Sequence, residues 1–179
     1  MTRLSGKKTL LPAGFSDMLY PKSENQNIIV EKILNYFANF NYKRVKPPLI
    51  EFEDTLFAEG PGSVLKENSF RIMDPISQKM MALRSDMTTQ ISRIASSRMS
   101  HYPRPLRISY SGDVLRVKST TLNMDRQITQ VGAEIIGDVN SDLEAEIILI
   151  GLKTLESLKI KDLSVDLNFP MLREKLLKK

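Results

Sequence analysis

Cysteine is absent from this sequence, which excludes disulfides, thiolate metal sites and cysteine nucleophiles. Histidine occurs once, at His101, so the chain has no means of forming a His-cluster metal site or running chemistry that needs two imidazoles. No zinc-ligand spacing is present, and no metal is expected. Gly60-Pro61-Gly62 lacks the Lys-Ser/Thr that would make it a phosphate loop. The longest apolar run, Ile147-Ile148-Leu149-Ile150, is far too short to cross a bilayer. The opening stretch carries basic residues but no sustained apolar core before Pro12, so no signal peptide is expected. A cysteine-free chain with neither feature fits a cytoplasmic address, away from membranes.

What is present is a globular composition: 179 residues, 41% hydrophobic and 26% charged, read as one domain over 1–179. The net charge of +5 is unevenly placed. Residues 1–50 carry eight Lys/Arg against three Asp/Glu, and 151–179 carry seven against four. The middle is slightly acidic, with eleven against fourteen. A nucleic-acid binder concentrates cations on one face beside stacking aromatics. No such stripe exists, so the basic ends read as solvated and a nucleic-acid partner is not expected.

Pro12, Gly14 and Pro21 punctuate an arm over 1–21. Ser23 and Gln26 form a capping box for a helix over 23–40, with Ile29, Ile33, Phe37 and Phe40 on its buried face. Tyr42 to Val45 begins an extended run that Pro47-Pro48 keeps out of helix and Leu49–Phe52 continues. A polar loop over 53–68 precedes short strands at Ser69–Met73 and Lys79–Leu83, joined at Asp74-Pro75. A helix follows over 86–99, with Ile91, Ile94, Ala95 and Met99 inward, then a strand at Leu106–Tyr110. Val114–Lys118, a loop Ser119–Arg126 and Gln127–Ile136 form an antiparallel hairpin. Ser141 to Glu144 is a second capping box, opening a helix to about Leu158 with Leu143, Ile147, Ile150 and Leu155 inward. Leu163, Val165 and Leu167 alternate as one more strand, and Pro170 starts a basic C-terminal helix. The pattern predicts an α+β protein on a largely antiparallel sheet.

Strand alternation locates a candidate site. Ile128, Gln130, Gly132, Glu134 and Ile136 share one face, with Gln130 and Glu134 about 13 Å apart along the strand. Gly132 between them would leave an open floor for a small molecule; the bland alternative is a solvated face with a bulge. The flanking isoleucines argue for a covered face, where Gln and Glu need partners. Arg116 lies among apolar neighbours and either serves the site or forms a structural salt bridge with Glu134. Asp86 either caps the next helix or joins the site with Thr88. Together two carboxylates, a Thr, a Gln and an Arg suit a zwitterionic amino acid. No nucleophile–base pair stands out, His101 reads as a surface residue, and Asp17 and Asp113 look isolated.

Several of these segments resemble histidyl-tRNA synthetase-like proteins. Leu11-Pro12-Ala13-Gly14-Phe15-Ser16-Asp17-Met18-Leu19-Tyr20-Pro21 is similar to their opening, and Pro47-Pro48-Leu49-Ile50-Glu51 with the preceding helix to motif 1 of class II synthetases. Leu83-Arg84-Ser85-Asp86-Met87-Thr88 resembles the first histidine-binding motif. Gly112 to Arg116, followed by Arg126 to Glu134, resembles motif 2. Asp86 stands where synthetases have Glu, and Lys118-Ser119-Thr120-Thr121-Leu122-Asn123-Met124 offers few groups for an ATP triphosphate. These details are similar to the family of ATP phosphoribosyltransferase regulatory subunits.

That resemblance implies a class II aminoacyl-tRNA synthetase-like antiparallel sheet flanked by helices, lacking the motif 3 portion. It implies no catalysis and no cofactor, but a regulatory subunit for the first step of histidine biosynthesis. The expected partners are the short-form catalytic subunit, in a hetero-oligomer, and free histidine as feedback effector. By position, Asp86 and Thr88 with Gln130 would hold the ligand ammonium, Arg116 its carboxylate, and Glu134 its imidazole. Family members are roughly twice this length, and their further strands, paired tyrosines and motif 3 are not in this sequence. The sheet should therefore keep an open edge, and either the chain is a fragment, or a partner or, by self-association, a second copy covers that edge. A truncated histidyl-tRNA synthetase catalytic domain, binding histidine and ATP, is the enzyme alternative.

Overall fold

The computed structural model describes residues 10–57, 65–118, 124–137 and 140–167. Helix α1 spans Lys22–Asn39, and strands β1 (Lys43–Val45) and β2 (Ile50–Phe52) follow. A single helical turn α2 (Glu53–Leu56) interrupts the stretch expected to be all loop, because Leu56 turns inward to only 3% exposure. Strands β3 (Arg71–Met73) and β4 (Met80–Leu83) form the expected hairpin, closed by Asp74, whose carboxylate accepts from the Ile76 and Ser77 amides. Helix α3 (Thr88–Arg93) runs into a wider π turn (Ile94–Arg98). Strands β5 (Leu106–Leu115) and β6 (Gln127–Ile136) and helix α4 (Ser141–Ser157) complete the described elements. No described helix is long and apolar enough to cross a membrane.

Two three-stranded sheets result, ordered β1-β5-β6 and β2-β4-β3. β5 and β6 pair antiparallel along their whole length, from Leu106↔Ile136 to Leu115↔Gln127, and β1 joins β5 in parallel. The two sequence strands 106–110 and 114–118 are thus largely one. The run from Tyr42 to Phe52, read as continuous, divides between the two sheets. Pro47 and Pro48 offer no N–H to a ladder, and their carbonyls instead accept from the buried Arg84 guanidinium at 3.0 and 3.2 Å.

The β5–β6 ribbon has a core on each face, as side-chain alternation requires. One face packs Ile108, Tyr110 and Val114 against Met87, Ile91 and Ala95 around α3, with Ile128 and Ile136 at its margin. The other sets Val131, Ala133 and Ile135 against Leu34 and Phe37 of α1, Tyr42, and Ile147 and Ile150 of α4. A fully buried residue such as Ile91, at 0% exposure, contributes about 1.5–3 kcal/mol. Arg107 clamps α4 to β5 with a two-pronged contact to Glu146, at 2.7 and 2.6 Å. That guanidinium holds the Glu146 carboxyl below the usual carboxylate range.

Several local expectations change. Pro21, not Ser23, precedes α1, and no side chain caps it. Gln26 instead donates to the Thr129 hydroxyl at 2.9 Å, so a residue read as a local cap serves a tertiary contact. Ile29 and Phe40 are each 45% exposed, because the sheet covers only the Leu34–Phe37 side. Asn140 rather than Ser141 caps α4, accepting from the Leu143 amide at 3.0 Å. Leu155 of α4 is 38% exposed while Thr154 is buried. Residues 163–167, expected as one more strand, belong to neither sheet. The helix expected from Pro170, Gly60-Pro61-Gly62 and the loop residues 119–123 lie outside the described residues.

Candidate functional site

Where β4 ends, the chain crosses toward the β5–β6 ribbon through Arg84, Ser85 and Asp86 before α3 begins. Asp86 uses both oxygens: Oδ1 accepts the Thr88 amide at 2.7 Å, and Oδ2 accepts Gln130 Nε2 at 3.0 Å. The Gln130 carbonyl oxygen accepts from the Met87 amide at 3.0 Å. Gln130 therefore pins the start of α3 to the middle of β6 with both ends of its amide. Asp86 thus contacts both the first amide of α3 and the Gln130 side chain.

A second hydrogen-bonded row runs beside it. The Tyr110 hydroxyl donates to Glu134 Oε1 at 3.0 Å and lies 3.4 Å from Thr88 Oγ1. With its own proton committed to the carboxylate, Tyr110 receives the Thr88 proton. Asp86, Thr88, Gln130 and Glu134 are thereby brought together, and Gln130 and Glu134 share a face as alternation demands.

The floor at Gly132 is not open. Tyr110 is directly opposite it in the ladder, and a Cβ on Gly132 would meet the phenol ring, 2.8 Å from Cε2 and nearer still to Cζ. Glycine is needed there because the ring, 3% exposed, fills the space a Cβ would take. The expectation of an empty hollow between Gln130 and Glu134 thus gives way to one filled by Tyr110.

Arg116 stands apart. Its backbone pairs with Arg126, whose O accepts at 2.8 Å, so it continues the register past Leu115 on the Gln130 face. Glu134 faces Ile108, eight residues back along β5, about 26 Å at about 3.3 Å per residue. A salt bridge between Arg116 and Glu134 is excluded by that separation. Among the described residues the Arg116 side chain has no ion pair. The groups therefore lie in order along one ribbon face: Arg116 at one end, Gln130 with Asp86 in the middle, Glu134 at the other. His101 is exposed, its ring tilted 45° to that of Tyr102 with centroids 4.9 Å apart.

Two participants escaped the sequence reading. Tyr110 could have been found from the register, since a large residue opposite a glycine on one face is a packing pair. The other is the second acidic position. Asp17 and Asp113, isolated in sequence, line one cavity of about 530 Å³ with Lys22, Gln26 and Gln127. Asp113 accepts from Thr129 and Gln127 at 2.7 and 3.0 Å, on the opposite face of the ribbon from Glu134. No described group of three His, Cys, Asp or Glu residues could hold a metal.

Burial pushes the Tyr110 phenol up to about 12; the Thr88 contact opposes this and the Glu134 charge adds to it. Burial, with the Glu146 carboxylate, raises Tyr42 as well. In an unfolded chain both would ionise near 10. The unfolded state then holds fewer protons than the folded one, so stability falls as pH rises above about 10. Alkaline ultraviolet titration should show Tyr42 and Tyr110 still protonated beyond that point, and both titrating normally in denaturant.

Comparison with known proteins places this geometry. The family described as histidyl-tRNA synthetase matches residues 14–179. The ATP phosphoribosyltransferase regulatory subunits of Rhodospirillum centenum and Paramagnetospirillum magneticum are each 47% identical, over 94% of this chain and 44% of their own length. The chain thus spans less than half the length of these curated relatives. Among solved structures, an ATP phosphoribosyltransferase regulatory subunit/histidyl-tRNA synthetase from Bacillus halodurans aligns with TM-score 0.73 at 24% identity, over 87% of this chain and 39% of that one. Histidyl-tRNA synthetase from S. aureus aligns with TM-score 0.70 at 23% identity, over 85% and 35%. At those identities the structural likeness establishes the fold: a class II synthetase-like α+β sheet.

Proposed function

The chain belongs to the histidyl-tRNA synthetase family, and from that membership we propose that it acts as a non-catalytic regulatory subunit of ATP phosphoribosyltransferase. It would join the short-form catalytic subunit in a hetero-oligomer in the cytoplasm, a location the cysteine-free composition supports. Its effector would be free histidine, held by Asp86, Thr88, Gln130 and Glu134; Arg116, expected at the carboxylate, lies about 26 Å along the ribbon from Glu134, beyond the reach of one histidine. The observation that carries this reading is the hydrogen-bonded cluster of Asp86, Thr88, Gln130 and Glu134. Asp86 with Gln130 would take the ammonium of a histidine zwitterion, and Glu134 its imidazole. Feedback would follow if histidine bound one state of the assembly more tightly than another.

The test is co-purification with the short catalytic subunit and a phosphoribosyl-transfer assay with and without histidine. Activity should need this chain and fall when histidine is added. Activity indifferent to the chain would defeat the proposal, as would histidyl-adenylate formation by the chain alone. Calorimetry with Glu134→Ala should show a loss of about 10-fold or more in histidine affinity, the usual worth of a hydrogen bond to a charged group. Undiminished binding would remove Glu134 from the site.

A further inference from the structure

Among the described residues, neither apolar core contains a residue of β2, β3, β4 or α2. Leu56 and Ala82 are buried, yet lie outside both cores, with α2 resting on β2 and β4. The β2-β4-β3 sheet is therefore a body of its own, joined to the ribbon across a seam of hydrogen bonds. The Leu115 and Val117 amides cross that seam, donating to Arg84 O at 2.9 Å and Asn68 O at 3.0 Å. Phe70, beside β3, adds ring contacts to Arg126 and Phe15. Polar junctions of this kind permit relative motion of the bodies they join. Helix α3 stands where the two bodies and the ligand cluster meet. Met87 and Ile91 seat one side of it in the ribbon core, and Gln130 pins its start through the Met87 amide and Asp86. Further along, Gln90 is 1% exposed. Its Nε2 donates to Pro48 O and to Glu51 Oε1, each at 2.9 Å, and its Oε1 accepts from Arg84 Nη1 at 3.5 Å. Arg93 closes on the same carboxylate, with Nε on Oε2 at 3.0 Å and Nη2 on Oε1. Glu51 belongs to β2, so a six-residue helix holds the ligand cluster at one end and the small sheet at the other.

We infer that the small sheet, with α2, moves as a body about this seam, and that Gln90 ties its position to the Asp86–Gln130 cluster. Ligand capture at the cluster fixes the first turn of α3, and with it Gln90, Glu51 and the Pro47-Pro48 break. A buried amide with its bonds met does not shift without its partners, because each bond left unmade costs about 1–3 kcal/mol. The backbone through Arg84, Ser85 and Asp86 also runs from seam to cluster, but it meets the small sheet at the end of β4. Gln90 instead reaches Pro48 and Glu51 across the break between the sheets. Open and closed seams are the two states that feedback requires: histidine that binds better with the seam closed shifts the population that way. The effect is reciprocal, so a closed seam raises histidine affinity by the same factor. The ligand's identity rests on the proposed function; the tie through Gln90 does not.

Residue-resolved amide exchange on the full chain tests this, read at the Leu115 and Val117 amides, whose bonds cross the seam. Gln130→Ala unties the cluster and should speed both amides at least about 5-fold, while the β5–β6 ladder amides keep their rates. Gln90→Met should speed them similarly, and in the double variant the two effects should not add. Pro48 O keeps Arg84 and Glu51 keeps Arg93, so Gln90→Met should fold by circular dichroism. If it does not fold, Glu51→Gln takes its place in the cycle. Histidine, at a concentration that calorimetry shows to be saturating, should slow the same two amides at least about 5-fold in the parent and leave them unchanged in Gln90→Met. Three results overturn the inference: seam amides indifferent to Gln130→Ala, additive effects in the double variant, or histidine bound without any slowing. If the parent binds no histidine, the proposed ligand fails and the mutant cycle decides the coupling alone.

Discussion

Arg84→Met should cost about 3–4 kcal/mol, a large share of the 5–15 kcal/mol that holds a typical domain. The guanidinium is 5% exposed and reaches into the junction between the two sheets. Nε donates to the Asp113 carbonyl at 2.8 Å, and Nη1 donates to Pro47 and Pro48 carbonyls across the break between β1 and β2. The Arg84 backbone reinforces the same seam, donating to Leu49 O at 3.1 Å and accepting from the Leu115 amide at 2.9 Å. Gly112 makes room for it: a Cβ there would lie 3.2 Å from Cζ and closer to Nη2.

Methionine keeps the aliphatic stem but strands acceptors. Pro48 O retains Gln90 Nε2 at 2.9 Å, whereas Asp113 O and Pro47 O lose the guanidinium partner they have here. Each buried orphan costs about 1–3 kcal/mol. Relief from a desolvated cation offsets part of that; burial already lowers the Arg84 pKa, with Asp113 and Glu51 opposing. Arg84→Lys should recover less than half the loss, since one ammonium cannot span the fork. Urea unfolding midpoints check both variants. A loss below about 1 kcal/mol for Arg84→Met would mean that the seam does not depend on this side chain.

Gly132→Ala is the second large effect, about 2–3 kcal/mol from overpacking. The added carbon would meet the Tyr110 ring, and the ring has little space to retreat between Thr88 and Glu134. The clash is pairwise, so a double-mutant cycle resolves it: in a Tyr110→Ala background the same alanine should cost under about 0.5 kcal/mol. Additive losses would place the strain elsewhere. Because Tyr110 orients Glu134, Gly132→Ala should also weaken histidine binding by calorimetry at temperatures where it stays folded. Equal affinity would separate the packing pair from the proposed ligand site.

Composition and periodicity were enough to establish the α+β class, the β3–β4 and β5–β6 hairpins and the face shared by Gln130 and Glu134, because a strand's period of two and a turn's residues are local properties. Motif spacing carried the family as well. What lay beyond reach were the partners of those local features. Gln26 reads as a cap until Thr129, 103 residues away, takes its amide. Pro47-Pro48 reads as a pause in one strand until Arg84 fastens its carbonyls between two sheets. Gly132 reads as an open floor until the register brings Tyr110 across it. Likewise Arg116 and Glu134 look like a pair until strand geometry holds them apart. Sequence specifies which groups each residue offers; distance in space, set by register and sheet packing between remote segments, selects which of those offers is met.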